Sequence, residues 1–114
     1  MAASSSPTVV YVDVDDTLVR SFGSKRIPRS DVAALIPQLQ AAGATLYCWS
    51  SGGAEYAREV AVELGIVDCF AGFLPKPHIL IDDIPLGDWM LAEIHPTEGA
   101  SMAVSEILER RLHR

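Results

Sequence analysis

The apolar positions change period along the chain, and the changes lay out alternating strands and helices. Residues 8–12 are nearly all β-branched or aromatic, which predicts a fully buried strand. The segment 19–29 holds Gly23, Lys25, Arg26 and Pro28 and predicts a loop or small hairpin. Ser30 precedes Asp31 as a helix N-cap, and Val32, Leu35, Ile36 and Leu39 follow at helical spacing. Pro37 conflicts with a straight helix there and predicts a kink or a delayed start. Gly43 marks the stop. Thr45 to Trp49 predicts a second buried strand, and Ser50-Ser51-Gly52-Gly53 a tight turn. Ala57, Val60, Ala61 and Leu64 mark one face of a second helix, ended by Gly65.

Residues 68–73 predict a third extended piece, punctuated by Pro75-Lys76-Pro77. His78 to Ile81 predicts a fourth strand that ends in Asp82-Asp83. Residues 89–94 predict a short strand or an irregular edge. A last helix, opened by Thr97 or Ser101, turns Val104, Ile107, Leu108 and Leu112 inward. The order β-α-β-α-β-β-α implies an α/β fold, a mostly parallel sheet with helices on both faces. A chain of 114 residues suits one domain over 8–114, with residues 1–7 as a disordered tail.

Charge narrows the partners. Fifteen acidic against nine basic residues give a net charge of −6, which argues against non-specific nucleic-acid binding and against membrane surfaces. A polyanionic substrate stays compatible if a metal sits between. No run approaches the ~18 apolar residues of a membrane span, and the opening residues lack the features of a signal peptide. The expected compartment is the cytoplasm. Cys48 and Cys69 fit small apolar residues of a reducing compartment better than a disulfide framework.

Chemistry concentrates at strand ends. In open parallel sheets, ligands bind outside the carboxyl ends of the strands. The first predicted strand ends in Asp13, Asp15, Asp16 and Thr17, the second in Ser50, Ser51, Gly52 and Gly53, and the fourth in Asp82 and Asp83. So many carboxylates in one space stay ionised only beside a cation, and oxygen-only ligands favour Mg²⁺. Ser50 and the amides of Gly52 and Gly53 open a helix N-terminus, which suits an anion. Lys76, stiffened by two prolines, supplies positive charge near the acidic edge. Arg20, Lys25, Arg26 and Arg29 fit solvated loop charges better than substrate contacts, and Trp49, Phe73 and Trp89 fit the core.

With these residues in place, the sequence resembles the haloacid dehalogenase-like hydrolase superfamily. Asp13-Val14-Asp15-Asp16-Thr17-Leu18 matches its first motif, Ser50 its second, Lys76-Pro77 its third and Asp82-Asp83 its fourth. The resemblance spans about residues 8 to 96. It implies a three-layer Rossmannoid fold and a Mg²⁺-dependent phosphomonoesterase. Asp13 would be the nucleophile that forms an aspartyl-phosphate, and Asp15 the general acid and base. Thr17, Ser50, Ser51, Gly52 and Lys76 would grip the phosphate. Asp82 and Asp83 would hold Mg²⁺ together with Asp13 and the backbone carbonyl of Asp15. Two features depart from the common pattern: Lys76 lies only six positions before Asp82, and no Gly precedes the fourth motif. Neither usual insertion point leaves room for a cap domain. The site should be open to a small phosphorylated molecule or a polymer end, or use a homo-oligomer or partner as a lid. Two other classes compete: a receiver-like phosphoacceptor module, and a degenerate phosphate-binding protein. Against the receiver, no Asp follows the second strand, and Lys76 precedes the second acidic pair.

Overall fold

The computed structural model describes residues 6–112 of the chain. Three parallel strands form its sheet: β1 (Val9–Asp13), β4 (Thr45–Ser50) and β5 (Phe70–Pro75), in the order β1-β4-β5. The register pairs Val9 with Thr45 and Asp13 with Trp49, then Ser50 with Pro75. All three strands therefore end together. Between β1 and β4 lie an antiparallel hairpin, β2 (Val19–Phe22) and β3 (Lys25–Pro28), and two short helices, α1 (Ser30–Ala33) and α2 (Leu35–Ala41). Helix α3 (Ala54–Glu63) connects β4 to β5, and α4 (Pro96–Ala100) and α5 (Val104–Glu109) close the chain. Among the described residues no helix is long and apolar enough to cross a membrane.

Local chemistry explains most boundaries. A helix running through residue 34 would drive the Pro37 ring into the Ala33 carbonyl, so the predicted kink appears as a break between α1 and α2. Helices α2 and α3 end in the same way. Gly43 (φ 98) and Gly65 (φ 72) take the left-handed conformation that L side chains avoid. Their amides reach the Gln40 and Val62 carbonyls, and the next amides reach those of Leu39 and Ala61. Both stops are thus Schellman turns.

The core forms from alternate residues. Val12 on β1, Leu46 and Cys48 on β4 and Phe70 on β5 join Val32, Ile36, Leu39, Ala57, Val60 and Ala61 from the first three helices. The intervening sheet residues Tyr11, Tyr47 and Trp49 stay outside it and pack on one another, with ring centroids 5.4 Å and 4.9 Å apart. Trp49 therefore belongs to the other face of the sheet, not to the core expected for it.

Three expectations need correction. His78 to Ile81 forms no strand; Ile79 and Ile81 are 81% and 95% exposed, and residues 77–88 are exposed throughout. Joining a parallel strand after β5 takes a crossover of about a dozen residues, and Lys76-Pro77 supplies two. The last helix is two helices, and Leu112 is exposed, not inward. Neither Thr97 nor Ser101 opens a helix: His95 caps α4, its Nδ1 accepting the Thr97 amide at 3.2 Å with Pro96 in the first turn, and Ala103 stands before α5, its amide donating to Glu106 Oε1 at 2.9 Å. Of the predicted tail, residues 1–5 lie outside the described residues, while Ser6 accepts hydrogen bonds from Arg111 through its carbonyl and hydroxyl.

Candidate active site

The candidate site stands where the parallel strands end. Directly after β1 the chain turns tightly around one carbonyl: the amides of Thr17, Leu18 and Val19 all reach Val14 O. Asp16 sits at φ 61, a left-handed conformation that Asp tolerates better than most residues, at a cost of about 1 kcal/mol. The turn brings Thr17 back over the strand, and its Oγ1 donates to Asp13 Oδ2 at 3.1 Å. On the other carboxylate oxygen, Lys76 Nζ lies 3.0 Å from Asp13 Oδ1. Pairing in the sheet places this lysine: the Lys76 amide donates to Ser50 O at 2.9 Å, continuing the β4–β5 ladder by one residue. The cation beside Asp13 is thus Lys76, which also lies over the Trp49 ring at 5.8 Å. Both members of the ion pair are about one-third exposed, so a solute can reach them.

Ser50 is buried at 1% exposure, and its hydroxyl oxygen accepts the Gly52 amide at 2.9 Å. The Gly52 N–H is therefore engaged within the turn, whereas Ser51 is exposed. Asp15 faces a different element. Tyr56, in the first turn of α3, donates its hydroxyl to Asp15 Oδ1 at 2.6 Å. Arg26 of the hairpin lies over the Tyr56 ring at 5.4 Å and forms an ion pair with Glu63 at the end of α3. Burial first, and then the bond to Asp15, raise the Tyr56 pKa above its ordinary value, so the phenol stays protonated and donates. Cys48, inside the sheet, is pushed up to about 12 by burial and by the charge of Asp13, so it is no nucleophile here.

The structure thus brings Asp13, Asp15, Thr17, Ser50 and Lys76 to one edge. Asp82 and Asp83 form no metal-binding group with these residues among the described residues. Both are exposed in the segment after β5, and Asp82 Oδ1 accepts the Ile84 amide at 2.9 Å in a local turn. Among the described residues no three His, Cys, Asp or Glu side chains stand together as a metal-binding group. The donor chemistry of Asp13 and Asp15 suits a hard divalent cation. As arranged, however, they lack the further carboxylates that the resemblance implies.

Tyr56 and Arg26 carried no functional signal in the sequence. Tyr56 lies four residues before Val60, on the stripe that faces the core, which marks it as inward-facing. Nothing in a single sequence links it to an aspartate 41 positions earlier. Arg26 was expected to be solvated, yet it ties the hairpin to α3. Compared with family models, curated proteins and solved structures, the chain matches none.

Proposed function

We propose that this chain is a phosphomonoesterase of the haloacid dehalogenase-like type, with Asp13 as nucleophile. One observation supports it above the rest: the Asp13 carboxylate is held at both oxygens, by Thr17 and Lys76, at the carboxyl edge of a parallel sheet. Holding a carboxylate this way limits its rotation and points it at an incoming group. Lys76 also places positive charge where a phosphoryl group would meet a carboxylate. Ser50 and Ser51 stand at the same edge for the phosphoryl oxygens. With Asp13 attacking phosphorus, the bond to the leaving oxygen breaks and Asp15 protonates that oxygen. Asp15 then takes a proton from the water that cleaves the acyl phosphate.

The proposal includes Mg²⁺, a three-layer Rossmannoid fold without a cap, and a cytoplasmic setting. Asp13 and the backbone carbonyl of Asp15 would hold the cation; Asp82 and Asp83, which stand apart from them in this arrangement, are the further ligands that the resemblance implies. Mg²⁺ supplies charge screening for an anionic substrate. The test is hydrolysis of a panel of phosphomonoesters with Mg²⁺ and with chelator. Hydrolysis that needs Mg²⁺ and falls about a thousandfold or more in Asp13→Asn is the expected result. Activity that survives Asp13→Asn removes Asp13 as nucleophile. A stable acyl phosphate without turnover favours the receiver-like alternative.

A further inference from the structure

We infer that Tyr56 is a positioning residue for Asp15, and that the β2–β3 hairpin holds it in place through Arg26. The inference rests on the phosphomonoesterase proposed above and names a residue that the motif set does not contain. The Tyr56 hydroxyl donates to Asp15 Oδ1 at 2.6 Å, a short bond between two side chains from distant elements. It leaves Oδ2 without a protein partner among the described residues, so proton exchange with the leaving oxygen and with water falls to that one atom.

Tyr56 is itself constrained from two sides. Its backbone is set by the first turn of α3, next to the buried Ala57. Its ring is covered by the Arg26 guanidinium, which the Glu63 carboxylate holds from the far end of the same helix. Arg26 pairs in register with Ser21 across the hairpin, so the hairpin as a unit presses on the ring. The hairpin and the end of β1 are adjacent in sequence, and Arg26–Tyr56–Asp15 links them a second time through α3. A hairpin that opens releases the ring and, with it, the orientation of Asp15.

A general acid matters most when the leaving group is poor. An alkoxide needs its proton during bond cleavage, whereas a nitrophenolate leaves without one. Tyr56→Phe keeps the ring and removes only the hydroxyl. It should lower kcat about tenfold on an alkyl phosphate with KM within about twofold, and lower kcat less than about threefold on p-nitrophenyl phosphate. Arg26→Gln should act in the same direction and more weakly. An equal loss on both substrates, or a change confined to KM, overturns the positioning role.

A second measurement needs no turnover. Denaturant unfolding of Tyr56→Phe, Asp15→Asn and the double variant should be non-additive, the double variant losing less than the sum. Additive losses overturn the contact. If the wild-type protein hydrolyses no phosphomonoester while the cycle stays non-additive, the enzyme assignment fails and the Tyr56–Asp15 contact stands.

Discussion

The carboxyl edge of the sheet and the segment that follows β5 are neighbours in sequence and opposites in physical state. At the edge, the side chains of Asp13, Asp15 and Ser50 are each held by something else. Asp13 lies between Thr17 and Lys76, Asp15 accepts from Tyr56, and Ser50 is buried in its turn. In residues 77–88 every residue is exposed, including Ile79, Leu80, Ile81, Ile84 and Leu86. Two aspartates near Asp13 and two aspartates after Ile81 look alike as sequence. Only Asp13 and Asp15 of the first cluster are held by residues of other elements; Asp82 is held by its own turn alone. A motif becomes a site through the elements that flank it. Here β1, β4 and β5 supply that framework, and a two-residue link after β5 does not.

The largest contrast concerns stability. Leu46, 1% exposed at the centre of the sheet, should cost about 2–5 kcal/mol when replaced by Ala. Ile81→Ala, at a residue 95% exposed, should stay within about 0.5 kcal/mol. Urea unfolding of both variants checks this. A loss above about 1 kcal/mol at Ile81 would show that the segment packs in solution. The same measurement with Mg²⁺ sharpens the comparison. If the cation draws Asp82 and Asp83 to Asp13, Ile81→Ala should become costly only when Mg²⁺ is present.

Much of the frame was legible in the sequence because its signals are local. β-branched runs marked β1 and β4, and Gly43 and Gly65 marked the helix ends. Pro37 marked the break before α2. The residues of the edge followed from one added rule, that parallel strands end together over a ligand. What was not legible depends on distance. The sequence 78–81 has the composition of a buried strand, but composition reports only that a segment fits a pleated, half-buried surface. Whether a free sheet edge can be reached is a matter of connection length. Tyr56 and Arg26 were missed for a related reason. Their contacts join α3 to β1 and β3, and such pairs leave no period in the sequence.

A middle-sized contrast uses glycine. Gly65 takes φ 72, and a methyl group there meets nothing within 4 Å. Gly65→Ala should therefore cost about 1–2 kcal/mol from backbone strain alone. Gly87, in the exposed segment, is not among the residues at positive φ, and a methyl group there also meets nothing within 4 Å. Gly87→Ala should change stability by less than about 0.5 kcal/mol. Equal losses would mean that Gly87 has a conformational role as strict as that of the Schellman turn.

The smallest effect at neutral pH lies at Cys48, and it separates the two regions by rate instead of by stability. Its thiol is pushed up to about 12 by burial and by Asp13, from an ordinary value of 9.0. A raised acid favours the folded state while it stays protonated. That contribution is complete below about 9 and is lost as pH rises through about 12. At pH 8 a thiol reagent should therefore modify Cys48 only as fast as the sheet opens. A cysteine placed by Ile81→Cys should react at once. Cys69, half-buried before β5, is best replaced by Ser so that it adds no third signal. Protection of Cys48 should follow the global unfolding free energy measured in urea, because β4 is the central strand and cannot fray from an edge. Fast labelling of Cys48 in the native protein would mean that β4 is exposed by local opening. The held geometry of Asp13, Ser50 and Lys76 depends on that strand, so it would then be transient as well.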